Sequence, residues 1–287
     1  MGIVLISKSL LCIKMDILNK LNPGQHRFEA YYPRCRDKEI PVYKCVNTGA
    51  LALQQTHKTE YEKIDGLKYW STNERDEALK KCKRDDTRRQ DYIKQINPNT
   101  WLDVGSGAGG IFEGIDSNIK AESVEPMPHC QRLMPVKTYS SCNDIENIKK
   151  YDLITSFHVV EHLEDPLGVL QNMKSHLAAG GKCIIEVPHA NDFLLRFMEL
   201  ESFKEFTFWS QHLILHTEAT LRWLLEKSGF TNINIKYIQR YSLSNHMYWL
   251  RYNKCGGHQK WPELDLKAYD DLLKSMKMTD TLLAYAE

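Results

Sequence analysis

Residues 101–110 read Trp-Leu-Asp-Val-Gly-Ser-Gly-Ala-Gly-Gly: an apolar run, an acid and a glycine-rich turn. Glycines at such a turn let a small ligand lie against the backbone, because a Cβ would obstruct both the dihedrals and the approach. Gly105, Gly107 and Gly110 satisfy G-x-G-x-x-G, and Glu125 lies twenty residues beyond the first of them, as a dinucleotide site requires. Asp103 argues against that ligand. A carboxylate two residues before the first glycine repels a pyrophosphate, whereas it accepts a hydrogen bond from an ammonium group. S-adenosylmethionine (SAM) carries such an ammonium, has no phosphate, and offers ribose hydroxyls that Glu125 can hold. The residues therefore point to SAM, with an NAD-dependent oxidoreductase as the disfavoured alternative.

The stretch Leu102–Gly110 resembles the first motif of class I SAM-dependent methyltransferases. Further resemblances follow in order: Ala121–Pro126 to the second strand and its acid, Tyr151–Ser156 to the fourth strand, Phe157–Pro166 to the segment after it, and Gly180–Pro188 to the fifth strand. The set spans roughly residues 85–240. It looks most like the ubiquinone-type O-methyltransferases and the sugar methyltransferases of surface-polysaccharide pathways.

The resemblance implies an α/β fold with a Rossmann-like seven-stranded sheet and helices on both faces. It implies SAM as cofactor and S-adenosylhomocysteine as product. Asp103 would then hold the ammonium, and the backbone of the Gly105, Gly107, Gly109 turn would approach the methionine portion. Glu125 would take the ribose hydroxyls, Pro126 and Met127 would wall the adenine, and Asn143 and Asp144 would bond its amino group. Phe157 and His158 would close the methionine side.

Methyl transfer from a sulfonium is an in-line displacement that needs positioning and, for a hydroxyl acceptor, a base. Histidine suits that task at neutral pH, and the chain has eleven. His212 is the first candidate: its segment, Ser210–Thr217, resembles the His-Glu-His loop of sugar methyltransferases, although Ser210 and Gln211 replace the first two residues. His189 follows the fifth strand and is a candidate for substrate contact, and His158 stands beside the cofactor. His216 is expected to pack beneath the next helix, or to cap it through Thr217. His158, Glu161 and His162, at i, i+3 and i+4, would share one helical face and could hold a divalent ion. A structural brace is the preferred reading, with no metal assigned.

Composition narrows the partners. Thirty-eight Lys plus Arg nearly cancel thirty-seven Asp plus Glu, so no basic surface invites nucleic acid, and a polar small molecule is the expected acceptor. The eight cysteines contain no C-x-x-C pair, which fits reduced thiols and a cytoplasmic protein. Cys35, Cys45, His26 and His57 are the conceivable ligands of an N-terminal zinc ribbon, at spacings no ribbon uses. Residues 3–13 are apolar but too short to span a bilayer and are interrupted by Lys8, so no membrane insertion is expected.

Stepping along the chain, residues 1–65 read as an irregular N-terminal module with short β-like pieces. Residues 66–98 read as a helical cap over the cofactor pocket, from which Tyr69, Trp70, Arg88 and Arg89 can reach the site. Residues 99–287 read as the SAM-binding domain, with strands near 100–104, 121–125, 135–140, 151–156, 181–187 and 231–240. Residues 282–286 supply an antiparallel seventh strand, which leaves 241–278 as a substrate-lid insertion carrying Tyr248, Trp249, Arg251 and Tyr252. The expected activity is His-assisted methylation of a hydroxyl oxygen on a sugar-like or phosphorylated intermediate. The alternatives are N- or C-methylation of a related acceptor and a non-catalytic SAM-binding protein.

Overall fold

The computed structural model describes residues 27–54 and 75–287. The longest helix among the described residues, α1 (Arg75–Ile96), has few apolar positions, with Ile93 fully buried. It stops at Asn97, which takes the left-handed conformation (φ +51°) ahead of Pro98.

Seven strands follow in one sheet: β4 (Thr100–Val104), β5 (Lys120–Val124), β6 (Lys137–Tyr139), β7 (Tyr151–Phe157), β8 (Leu177–Pro188), β10 (Asn234–Ile238) and β11 (Thr281–Ala286). Their order across the sheet is β10-β11-β8-β7-β4-β5-β6. The pairs β4–β5, β4–β7, β5–β6 and β7–β8 are parallel. Central strands of a parallel sheet are covered on both faces, and β7 and the stretch Cys183–Val187 of β8 are accordingly buried almost throughout. Thr231 N–H donates to Glu287 O at 2.7 Å and Glu287 N–H returns a bond to Thr231 O at 2.9 Å. That reciprocal pair is the antiparallel pattern expected of the last strand.

The helix before β10, Glu218–Lys227, closes with Phe230 N–H on Leu225 O and with Gly229 at φ +88°, the glycine stop its sequence announces. At its other end Thr220 N–H donates to Thr217 Oγ1, and the fully buried His216 lies 3.3 Å from Thr220 Oγ1.

The strands β1 (Phe28–Tyr32), β2 (Val42–Cys45) and β3 (Leu51–Leu53) are antiparallel neighbours, and β3 pairs with β9 (Ile214–Leu215). This corrects the serial division expected from the sequence. The described part of the prefix is no separate module, because its third strand completes a four-stranded sheet with a segment about 160 residues downstream. The chain divides into two compact units instead. Among the described residues, one unit holds 27–54, 188–220 and 237–280, and the other holds 75–187, 221–236 and 281–287.

Cys35 packs with Val42, Leu51 and Phe208 in an apolar cluster, and burial pushes its thiol up to about 12. That setting suits a core residue rather than a zinc ligand, while His26 and His57 lie outside the described residues. Between β10 and β11 lie the helices Leu243–Tyr252 and Lys267–Ser275. Trp249, expected to line a lid, is buried between Phe203 and Phe206 at ring distances of 5.2 Å each. Among the described residues no helix is long and apolar enough to cross a membrane.

Candidate active site

Ligands of open α/β sheets gather at the carboxyl ends of the strands. At that edge Asp103 of β4 lies in register with Ser123 of β5 and Thr155 of β7. Its side chain is buried. Thr155 Oγ1 donates to Asp103 Oδ1 at 2.5 Å and accepts in turn from Trp101 Nε1 at 2.8 Å. Burial outweighs these donors and the charge of Arg89, so the Asp103 carboxyl is pushed up to about 6. A cation placed beside it would favour the ionised form.

Glu125 follows β5 directly and is also buried. Its Oε2 accepts the Gly107 N–H at 2.8 Å, and its Oε1 accepts the Met127 N–H at 3.0 Å. A carboxylate thus sits on an amide of the glycine turn, where a pyrophosphate would need that donor for itself. A carboxylate has about four acceptor positions, so one holding two amides can still receive ribose hydroxyls. The pair Asp103 and Glu125 fits SAM, and the Gly107 amide is already engaged by a carboxylate.

Two of the glycines are fixed by the protein itself. Gly105 has φ +83°, and a Cβ there would lie 2.2 Å from Val159 Cγ2. At Gly110 a Cβ would lie 2.4 Å from Asp86 Oδ2. Helix α1 therefore presses on the turn, and Gln90 Nε2 donates to Glu113 O at 2.5 Å on the same side. Gly109 donates its N–H to Ser106 O at 2.9 Å, which folds the turn on itself.

The adenine-side candidates are differently placed. Pro126 is exposed, but Met127 is interior, packed with Ala108 and Cys130. Asp144 accepts the Ser141 N–H at 2.9 Å and Asn143 Oδ1 accepts from Asn172 Nδ2 at 2.7 Å, so both side chains already shape the turn after β6.

A cluster that sequence reasoning missed centres on Glu186, fully buried near the end of β8 and in register with Phe157. Arg88 donates to it through Nη1 at 2.7 Å and Nη2 at 3.1 Å. Arg89 donates through Nε at 3.0 Å and Nη2 at 2.7 Å. Burial alone would raise the Glu186 carboxyl, but Arg89, His158 and Arg88 together hold it well below the ordinary glutamate range. The signal in the sequence was an acid inside the apolar run Cys183–Val187.

His158 takes a left-handed backbone (φ +56°), so it shares no helical face with Glu161 and His162. Its Nδ1 lies 3.1 Å from Glu161 Oε1 and its Nε2 lies 3.3 Å from Glu186 Oε1. The arrangement is a brace between two buried acids. Phe157, adjacent and buried, lies under the Arg89 guanidinium at 4.9 Å. These residues belong to the sheet-bearing unit.

The other two histidines belong to the second unit. His189 is buried, with Nδ1 2.9 Å from Thr279 O, and burial pulls it down to about 4. His212 is half-buried on a turn, its N–H on Trp209 O at 2.9 Å and its ring against the Trp209 indole.

The methyltransferase-domain family matches residues 73–235, more than half of the chain. The chain belongs to that family. Among solved structures, a protein assigned as an O-methyltransferase from Nostoc punctiforme aligns at TM-score 0.51 and 12% identity, over 80% of this chain and 63% of that one. A SAM-dependent methyltransferase from Archaeoglobus fulgidus aligns at 0.49 and 17%, over 78% and 98%. The N-methyltransferase NodS from Bradyrhizobium japonicum, solved with S-adenosylhomocysteine, aligns at 0.41 and 16%, over 70% and 85%. No curated protein sequence matches the chain. The fold of this methyltransferase is the SAM-binding one, and its cofactor is SAM.

Proposed function

We propose that this methyltransferase acts on a hydroxyl oxygen of a polar small molecule, sugar-like or phosphorylated, of the kind used in surface-polysaccharide synthesis. The observation that carries the cofactor half is the Glu125 carboxylate seated on the Gly107 amide beside the buried Asp103. The acceptor half rests on the resemblance to ubiquinone-type and surface-polysaccharide methyltransferases, and on the chain's near-zero net charge.

SAM supplies an activated methyl group on a sulfonium; the protein's own residues bind, orient and take a proton. Asp103 holds the ammonium, Glu125 the ribose hydroxyls, and the turn from Gly105 to Gly109 gives the methionine portion room. His212 is the base we assign for the hydroxyl proton. His158 is braced by Glu161 and Glu186, and His189 is tied to Thr279 O in a buried setting that disfavours its protonation.

The test is transfer of label from SAM across a panel of nucleotide sugars, sugar phosphates and amines. Label on a hydroxyl, with His212→Ala lowering kcat by about 100-fold or more at unchanged SAM affinity, is expected. Label on an amine would replace the oxygen acceptor with nitrogen. SAM bound but never consumed would favour a non-catalytic SAM-binding protein.

A further inference from the structure

Shortly after β8 ends, the chain makes one π-helical turn, Phe193–Phe197, capped by the buried Asp192 through the Leu195 N–H at 3.0 Å. Such turns are rare and gather at functional sites. This one lays Phe193 and Phe197 face to face at 5.2 Å, and the buried His246 stacks parallel to Phe193 at 5.8 Å. Tyr269 stands edge-on to both Phe193 and His246, at 6.3 and 5.6 Å. All of these residues belong to the unit that holds 188–220 and 237–280.

The hydrogen-bond roles in this group follow by exclusion. Gln239 Oε1 accepts the Asp280 N–H at 3.2 Å, and Gln239 Nε2 donates to Tyr241 O at 2.7 Å, so an inverted amide would lose both bonds. The same Nε2 lies 3.4 Å from His246 Nε2, which must then carry the lone pair. Burial pulls His246 down to about 4 and keeps the ring neutral, so its single proton sits on Nδ1. Nδ1–H donates to Tyr269 Oη at 2.7 Å. The phenol proton therefore points away from the histidine, and among the described residues it meets no acceptor. Tyr269 is only partly buried, so that donor is open to a ligand.

We propose that Tyr269 is a binding residue for the acceptor: its hydroxyl, oriented by His246, donates a hydrogen bond to an uncharged oxygen of a sugar ring that packs on Phe197. The inference rests on the sugar-like acceptor proposed above and makes the unit held here a neutral sugar. Charge favours that choice. Asp192 precedes Phe193 in the chain, Asp270 follows Tyr269, and the Arg240 guanidinium is engaged by Asp280 at 3.1 Å. A phosphate at this donor would have acids for neighbours, whereas a hydroxyl or ring oxygen meets no such penalty. Phe197, 58% exposed, offers the C–H face of a sugar an aromatic surface. His246 touches no part of the sugar; it is a positioning residue that acts through Tyr269.

Nitrogen NMR of the His246 ring reads the tautomer with no ligand present. A proton on Nδ1 and none on Nε2 is expected; a proton on Nε2 would overturn the proposal. Saturation-transfer NMR without SAM then probes the site with methyl glucoside, N-acetylglucosamine and glucose 1-phosphate. Wild type should bind the two uncharged sugars. Tyr269→Phe keeps the ring and removes the donor, and should weaken that binding by about three- to tenfold at an unchanged melting temperature. His246→Asn, whose amide can still donate to Tyr269 Oη, should keep more affinity than His246→Leu. Uncharged sugars that wild type does not bind, or binds no better than Y269F, would overturn the proposal, as would glucose 1-phosphate held more tightly than methyl glucoside through Tyr269. Failure of the functional reading looks different: sugars held at Tyr269 that never take label from SAM leave this inference standing and remove the sugar as acceptor. Label transferred to a sugar, with KM and kcat unchanged in Y269F, does the reverse. For a sugar that is methylated, Y269F should raise KM more than it lowers kcat.

Discussion

The Glu125 carboxylate takes the Gly107 N–H at 2.8 Å, so the acid at the end of the second sheet strand and the glycine turn after the first are one hydrogen-bonded unit. Glu125→Gln retains the shape but offers one acceptor oxygen where the loop uses two, leaving Gly107 or Met127 N–H without its partner. A buried amide so orphaned costs about 1–3 kcal/mol, which denaturant unfolding would register. SAM affinity should fall in the same variant.

Cofactor affinity should depend on pH through Asp103. Its folded value of about 6 lies above the ordinary 3.8, so the ligand-free protein favours the protonated form up to that pH. The ammonium needs the carboxylate. Affinity should therefore be full above pH 6 and decline on acidification, by up to about tenfold per unit. Asp103→Asn should bind weakly at every pH and show no such slope. Asp86 is also raised to about 6 and opposes ionisation of Asp103. Asp86→Asn should therefore keep the slope and move its midpoint down.

At Gly105 both conformation and space are restricted. Gly105→Ala adds a left-handed strain and a methyl 2.2 Å from Val159 Cγ2, together costing about 2 kcal/mol or more. Val159→Ala in that background should restore the part due to contact and leave the part due to φ. Thermal unfolding of the two single variants and the double variant separates them.

The second unit has its own pH response, with two opposed contributions. Burial and the neighbouring Asp280 raise Asp192 to about 7, above its ordinary 3.8. Its ionisation penalises folding progressively from about pH 4 to 7, and fully above 7. His189 and His246 are pulled down to about 4 by burial, so their stabilisation is complete above pH 6.5 and is lost as pH falls toward 4. Asp192→Asn should raise the melting temperature at pH 8 more than at pH 5. An equal change at both values would show that the carboxyl is not the source.

The glycine turn after β4 and the acid after β5 were legible because their signals are local. A glycine turn after an apolar strand, and an acid ending the next strand, are short-range patterns that β4 and β5 realise within a residue or two. The four-stranded sheet was not legible, because β9 is two residues long and its partner β3 is far away in sequence. Glu186 and Thr155 were visible only as polar residues in apolar strands. Their partners, Arg88, Arg89 and Asp103, come from other elements, and no spacing rule connects them. The helical face drawn through His158, Glu161 and His162 failed at one residue, where His158 turns left-handed directly after β7, before the short helical turn Val160–His162 begins.

The most direct test of the account is calorimetric titration of the purified protein with SAM, S-adenosylhomocysteine and NADH, beside an Asp103→Ala variant. The account predicts micromolar binding of both adenosyl ligands by the intact protein, loss of that binding in the variant, and no binding of NADH. NADH binding without SAM binding, or SAM binding unchanged by Asp103→Ala, would contradict it.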